Sequence, residues 1–571
     1  MKQSEQNQVR LWFSCSLVIA AICGVWALTK AFQSEYVIQD DARSHIVWML
    51  RFTDSDLFPH DLIMDYFQSV APVGYKTLYQ LLATLGINPL IAHKLLPTIL
   101  GLITTGYGFG ICWQIFPVPF AGFLATLLLN QNLWLKDDLI TATPRAFFYP
   151  LFLAFLYSLL RQSWPGIVIF VLLLGLFYPQ GVLLSMAVLL IHLVTLMVKK
   201  LLEKSTFLRR ERGVGGIIIG LITGCLVLLP YLLYPSEFGN IISLADAKNL
   251  PEFYPGGRAA FFTDKPWDFW LTGDRSGLLP QEWFLKSLPP QVLAGLLLPI
   301  LLKFPRRFPL AEKITQKIWI LPELLLASTG LFFLAHALLF QLHHPSRYSH
   351  HSLRIVAAIS GGIAITLILD FLYRSLRFKT AHFPVKLPIK LGLGLVFFLL
   401  LCYPALFNRF PTTNYVIGRF PQLYEFLASQ PKESLIASIA TEANNLPAFA
   451  QRSILVGSEF ALPYHQKYYG ELQQRAQDLI NAQYSINSEE LKQFIQTYQI
   501  DFWLLESEAF TPDYVARNRF IHQFNPAIIP EIEQRLRQVT QPILSSQVET
   551  CAVFRVENWI TVDTNCVVNQ E

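Results

Sequence analysis

Apolar residues along this chain come in long unbroken runs, without the three- and four-residue spacing of a soluble amphipathic helix. The first, "LWFSCSLVIAAICGVWALTKAF" from Leu11 to Phe32, is long enough to cross a bilayer. It exceeds the apolar core of a cleavable leader and lacks a small-x-small cleavage site, so it reads as a retained anchor. Further runs begin near Leu90, Pro117, Arg145, Pro165, Gly181, Gly213, Gln291, Trp319, Ser352 and Pro388, each ended by charge or proline. The pattern therefore predicts about eleven spans. Beyond Phe407 it changes. "SLIASIA" (Ser434 to Ala440), "SILVG" (Ser453 to Gly457), "DFWLLE" (Asp501 to Glu506) and "CAVFRVE" (Cys551 to Glu557) read as buried strands separated by helix-length segments. The expected architecture is mainly α: a polytopic helical membrane domain at 1–407, then a small extracytoplasmic α/β domain at 408–571.

Composition agrees with this pattern. Of 571 residues 53% are hydrophobic and only 15% charged, against about 25% charged in soluble domains, and the mean hydropathy is +0.39. The formal charge of +5 is modest, and no nucleic acid is among the expected partners. Lys/Arg-rich segments set the direction of threading: Lys199 to Arg212, Lys303 to Lys317 and Tyr373 to Lys390 are expected to be cytoplasmic. The N-terminus is then inside a plasma (inner) membrane and the C-terminal domain outside. Residues 33–89, Lys136 to Arg145, residues 235–290 and Gln341 to Arg354 share the outer face. Of seven cysteines, Cys551 and Cys566 alone lie in the polar C-terminal part, which permits one disulfide on an oxidising side.

The polar residues of interest gather on that outer face. Asp40 and Asp41 open a predicted helix, "DDARSHIVWMLRF", on which Asp41, His45 and Trp48 share one side. An aspartate at that place is also a good N-cap, so capping is the alternative role. Asp137 and Asp138 lie in a second short loop. Two acidic pairs meeting in one cleft suit a general base or a divalent cation. "HHPSRYSHH" supplies His343, His344, Arg347, Tyr348, His350 and His351; a guanidinium at a membrane surface suits a bidentate grip on a lipid phosphate, with His344 beside it. The long outer loop interleaves Trp267, Trp270 and Trp283 with charges, a pattern shared by sugar sites and membrane anchors.

Together these features resemble the GT-C superfamily of polytopic glycosyltransferases, which includes protein O-mannosyltransferases, the lipid A aminoarabinose transferase and catalytic subunits of oligosaccharyltransferases. The resemblance rests on Asp40-Asp41, Asp137-Asp138, Arg347-Tyr348 and a soluble domain after the last span. It also extends to cyanobacterial GT-C-like proteins through "LVGSEFALPYHQKYYGELQQRAQDL". It implies a sugar donor on a polyprenyl phosphate, an acceptor arriving from outside, and inversion at the sugar. Asp40 or Asp41 would be the base, with Asp40 favoured. Asp137, Asp138 and His45 would assist the acceptor or hold a cation such as Mg or Mn, which stays optional because metal dependence varies across the superfamily. Arg347, Tyr348 and His344 would bind the lipid phosphate. The first-loop pair is Asp-Asp where several members have Asp-Glu, and no "WWDYG" motif occurs, which disfavours peptide N-glycosylation. A transporter or flippase of lipid-linked glycans, or a non-catalytic relative, is the alternative.

Overall fold

A computed structural model describes residues 3–202, 212–233, 236–284, 290–377, 383–538 and 541–570. Parts of two basic loops (203–211, 378–382) and of the long outer loop (234–235, 285–289) lie outside the described residues. Among the described residues, eleven apolar helices stand where the runs predict them: Gln3–Ala31, Pro89–Ile115, Pro119–Trp134, Phe148–Leu160, Trp164–Phe177, Pro179–Leu202, Arg212–Leu233, Pro290–Leu301, Ile320–Ala337, Ser346–Arg377 and Phe383–Cys402. Six of the described helices are long and apolar enough to be clear membrane-span candidates. Others are shorter. Phe148–Leu160, with 13 residues, reaches about 20 Å, less than a bilayer's apolar thickness of about 30 Å.

One close approach positions the site. Gly362 lets the Ser346–Arg377 helix lie so near Pro119–Trp134 that a Cβ there would stand 2.5 Å from the Ala125 nitrogen. The start of the first of these helices, with its arginines, is thereby fixed beside the acidic loop that follows Trp134.

The predicted helix from Asp40 does not form as one piece. A single α-turn, Ala42–His45, breaks at Ile46, and Val47–Phe52 continues as a 3-10 helix. Nor does either aspartate cap it. Gln39 Oε1 accepts the amides of Asp41 (2.8 Å) and Ala42 (3.3 Å) instead, which leaves both carboxylates free for other partners.

Outside the helices, strand β1 (Val37–Gln39) pairs antiparallel with β2 (Tyr415–Ile417), the segment that follows the last apolar helix. The same segment donates or accepts along its length: Lys30 Nζ reaches Pro411 O (3.0 Å), Thr412 N reaches Trp134 O (2.7 Å), and the Asp40 amide reaches Asn414 O (3.1 Å). A five-stranded mixed sheet follows, ordered β4 (Ser453–Ile454), β3 (Leu435–Ala437), β5 (Phe502–Glu506), β7 (Trp559–Asp563), β6 (Ala552–Val556). β3 runs parallel to both neighbours, whereas β7 is antiparallel to both of its own. All four expected strands are present. The unexpected one is β7, the partner in a tight hairpin with β6. The Cys551–Cys566 disulfide is formed. One apolar core runs from Trp48, Phe67 and Tyr75 into Leu423, Phe460, Tyr468 and Trp503, so residues 33–89 pack as part of the C-terminal body.

Candidate functional site

Arg145, in the 3-10 turn Pro144–Phe147, organises one end of the helical bundle. One of its guanidinium nitrogens, Nη2, holds Asp41 Oδ2 in a short ion pair and lies 3.5 Å from Asp137 Oδ1; the other, Nη1, lies 3.6 Å from Asp138 Oδ1. Asp41 of the first acidic pair meets both aspartates of the second around one arginine, and Asp40 stays apart, held by Arg43. Burial pushes the Asp41 carboxyl up, but Arg145, with help from Arg258 and Arg347, outweighs it and holds the group below the usual carboxylate range. Burial works against the Arg145 charge too, and Asp41, Asp137 and Asp138 overcome it.

Asp138 is almost fully buried, and it is the meeting point of three arginines. Its Oδ2 accepts from Arg354 Nη1 at 2.9 Å and lies 3.5 Å from His351 Nδ1, while Oδ1 faces Arg145 and, at 3.7 Å, Arg347 Nη1. Burial raises this carboxyl, yet Arg354 and its neighbours keep it well below the ordinary value. Arg354 in turn binds Glu282 and the Tyr149 hydroxyl (2.9 Å). Asp137 accepts from Asn414 Nδ2 at 2.9 Å. Lys136 pairs with Asp274 at 3.2 Å, and that lysine, against the effect of burial, drives the Asp274 carboxyl down.

Lys136, Arg145, Arg347 and Arg354 line a small pocket of about 20 Å³ against two carboxylates, Asp138 and Asp274. Excess positive charge in a small cleft of this kind suits an anionic oxygen. Arg347 enters it with a quarter of its side chain exposed. Tyr348 and His344 do not line it. The Tyr348 side chain is buried and its hydroxyl donates to Leu342 O (2.8 Å); His344 Nε2 meets the Tyr464 hydroxyl (2.9 Å). His350 and His351 do line it, bonded to Gly277 O and the Tyr149 hydroxyl.

Asp40 faces the C-terminal body. Its Oδ1 pairs with Arg43, and 37% of its side chain is open to solvent. Arg43 also reaches Glu459 Oε2 (3.0 Å) and Asn445 Oδ1 (2.9 Å), while Arg258 from the long outer loop binds the other Glu459 oxygen. Burial pushes the Glu459 carboxyl up to about 7, more than Arg258 and Arg43 pull it down, and Asp40 and Asp41 add to the rise. His45 lies beside Phe67 (5.4 Å), and burial lowers its imidazole to about 4. It is a neutral ring near the acidic pair.

A divalent cation does not suit this arrangement. Such ions take six or more oxygen ligands, whereas Asp41, Asp137 and Asp138 share one guanidinium and Asp40 is held by another. Among the described residues, no group of three or more His, Cys, Asp or Glu side chains converges as a metal shell. Of the tryptophans, Trp267 and Trp270 face outward, and Trp283 turns inward to donate to Asn132 Oδ1 (3.2 Å). Arg145, Arg354, Lys136 and Glu459 are absent from the residues expected from sequence. Arg354 carries a signal of its own, a charge inside an otherwise apolar run.

This helical bundle, with residues 33–89 packed against a C-terminal body that holds a mixed sheet, has a GT-C-like fold. The archaeal oligosaccharyltransferase AglB from Archaeoglobus fulgidus, solved with an inhibitory peptide and a dolichol-phosphate, matches with a TM-score of 0.52 at 12% identity, over 92% of this chain and 72% of that one. The apo form of the A. fulgidus oligosaccharyltransferase gives 0.51 at 14% identity with the same coverage. ArnT from Cupriavidus metallidurans bound to undecaprenyl phosphate aligns over 97% of this chain and 98% of its own, at a TM-score of 0.40 and 14% identity, a score that carries no weight. No family model matches the chain, and no curated protein matches it in sequence. At these identities the likeness defines the fold.

Proposed function

We propose that the protein is an inverting glycosyltransferase that moves a sugar from a polyprenyl-phosphate donor to an acceptor on the extracytoplasmic side. The observation that carries this reading is Arg145, which joins Asp41 of the first-loop pair to a small cationic pocket lined by Lys136, Arg347 and Arg354. Asp40, the more open carboxylate of the pair, takes the proton from the acceptor as its oxygen or nitrogen attacks the anomeric carbon. The bond to the lipid phosphate breaks on the opposite side of the sugar, and the cations stabilise the charge left on the departing phosphate. Asp41 stays ionised on Arg145 and keeps the two loops in register. Every proton in this scheme is moved by side chains of the chain itself. Placement outside the cell is supported by the Cys551–Cys566 bridge and by basic loops at the other end of the bundle.

The test is transfer by the full-length protein in nanodiscs, from labelled polyprenyl-phosphate sugars to an envelope fraction. Transfer that is lost in D40N supports the reading; equal transfer by wild type and D40N overturns the base assignment. One observation favours the transporter reading. His192 Nδ1 and Glu323 Oε2 pair at 2.7 Å between two apolar helices, and ionisable groups within spans often mark ion routes. Translocation of a fluorescent lipid-linked glycan that depends on Glu323 but not on Asp40 would decide for it.

A further inference from the structure

A second polar groove lies at the other end of the bundle. The Phe148–Leu160 helix begins three residues after Arg145 and ends at this groove, about 20 Å away. It has a volume of about 570 Å³ and is lined by Trp113, Gln114, Tyr157, Leu160, Arg161 and Lys317. Its chemistry is one-sided. Lys317 Nζ bonds Gln114 Oε1 (2.5 Å), Arg161 lies 5.9 Å from the Tyr157 ring centroid, and neither cation meets a carboxylate among the described residues. The Gln114 amide nitrogen is buried without an acceptor. Two cations therefore face the same space and, among the described residues, no carboxylate balances them.

The walls beside these donors are aromatic and aliphatic. Trp and Tyr of this kind collect where a bilayer meets water, and Leu160 is the last residue of an apolar helix. A ligand that suits both halves has a phosphate at one end and an acyl chain at the other. We infer that this groove binds the phosphate of an anionic membrane lipid, held by Arg161 and Lys317 on the face opposite the acidic centre. The site is separate from the proposed transfer reaction and does not depend on it. Arginine supplies paired donors for two phosphate oxygens, and lysine a point charge beside them.

Native mass spectrometry of the detergent-purified full chain, titrated with phosphatidylglycerol and with phosphatidylcholine, tests the assignment. Wild type is expected to retain phosphatidylglycerol in preference. R161Q/K317Q should lose roughly thirtyfold of that retention, while R306Q/R307Q, which removes equal charge from a nearby basic turn, should keep it. The single variants R161Q and K317Q, each expected to lose part of it, keep the test readable if the double variant folds poorly. Equal retention of the two lipids, equal loss in both double variants, or displacement of the lipid by inorganic phosphate would overturn the assignment.

Discussion

Arg145 binds Asp41 across 104 residues of sequence, and so ties the loop after the first apolar helix to the loop after Trp134. Through Asp138 that tie continues to Arg354, a further 216 residues along the chain from the aspartate. R145Q would leave three carboxylates close together without their shared cation. Removing one partner of a buried pair costs about 3 kcal/mol or more, so a clear fall in melting temperature and a loss of transfer of about a hundredfold or more are expected. R145K restores charge but not the fork and should recover stability more than activity. Thermal melts in detergent beside transfer assays separate the two.

Asp40 and Asp41 are neighbours with different expected phenotypes. D40N should abolish transfer with little change in melting temperature, because Asp40 is partly open and exposed pairs are worth about 1 kcal/mol or less. D41N leaves Arg145 without its first-loop partner and should lower both. Identical melting curves for the two variants would contradict the division of labour.

Arg347 and Arg354 share Asp138 but not its burial. R347A should raise KM for the lipid-linked donor about tenfold or more while the protein stays folded, since its contact with Asp138 is 3.7 Å long. R354A removes a buried cation from Asp138, Glu282 and Tyr149 together and should destabilise by about 3 to 5 kcal/mol. Steady-state kinetics and melts distinguish them.

Glu459 predicts a pH effect of defined sign. Its folded value near 7 lies above the ordinary carboxyl value of 4.5. The folded state therefore holds a proton that the unfolded state has released. This contribution to stability is complete below about pH 4.5 and is lost as pH rises through 7. The melting temperature of wild type relative to E459Q should fall across that window. A difference that stays flat with pH would contradict the burial argument.

The Cys551–Cys566 bridge closes a span of 15 residues, which in the chain-entropy account contributes about 3 kcal/mol. A reductant added outside intact cells should lower the melting temperature of the extracted protein, and C551S/C566S should be insensitive to it. Thiol labelling by an impermeant maleimide, appearing only after reduction, checks the side of the membrane at the same time.

The helices were legible because lipid demands long apolar runs, and the strands of the C-terminal sheet because burial demands short ones. The acidic pairs and Arg347 were legible as charge beside spans. Arg145 was hidden by its position at the edge of an apolar run, where it resembles any residue that ends a loop. Its meaning depends on Asp41 and Asp138, and nothing in local spacing connects them. Glu459 was hidden for a related reason: it lies in a C-terminal turn, and no local spacing connects it to its partner Arg43 in the first loop. The capping role open to Asp40 or Asp41 is filled by Gln39, a residue with no strong capping preference, so propensity pointed to the wrong side chain.

The pairing of Val37–Gln39 with Tyr415–Ile417 has a consequence for biogenesis. Asp40 and Asp41 follow the first apolar helix, and Asn414, which accepts the Asp40 amide and donates to Asp137, is made after the described apolar helices. During synthesis the loop that carries the acidic pair therefore waits for its strand partner until the last apolar helix has been made. A nascent chain stalled before Tyr415 would hold every apolar helix in the described structure yet lack the strand that fixes this loop.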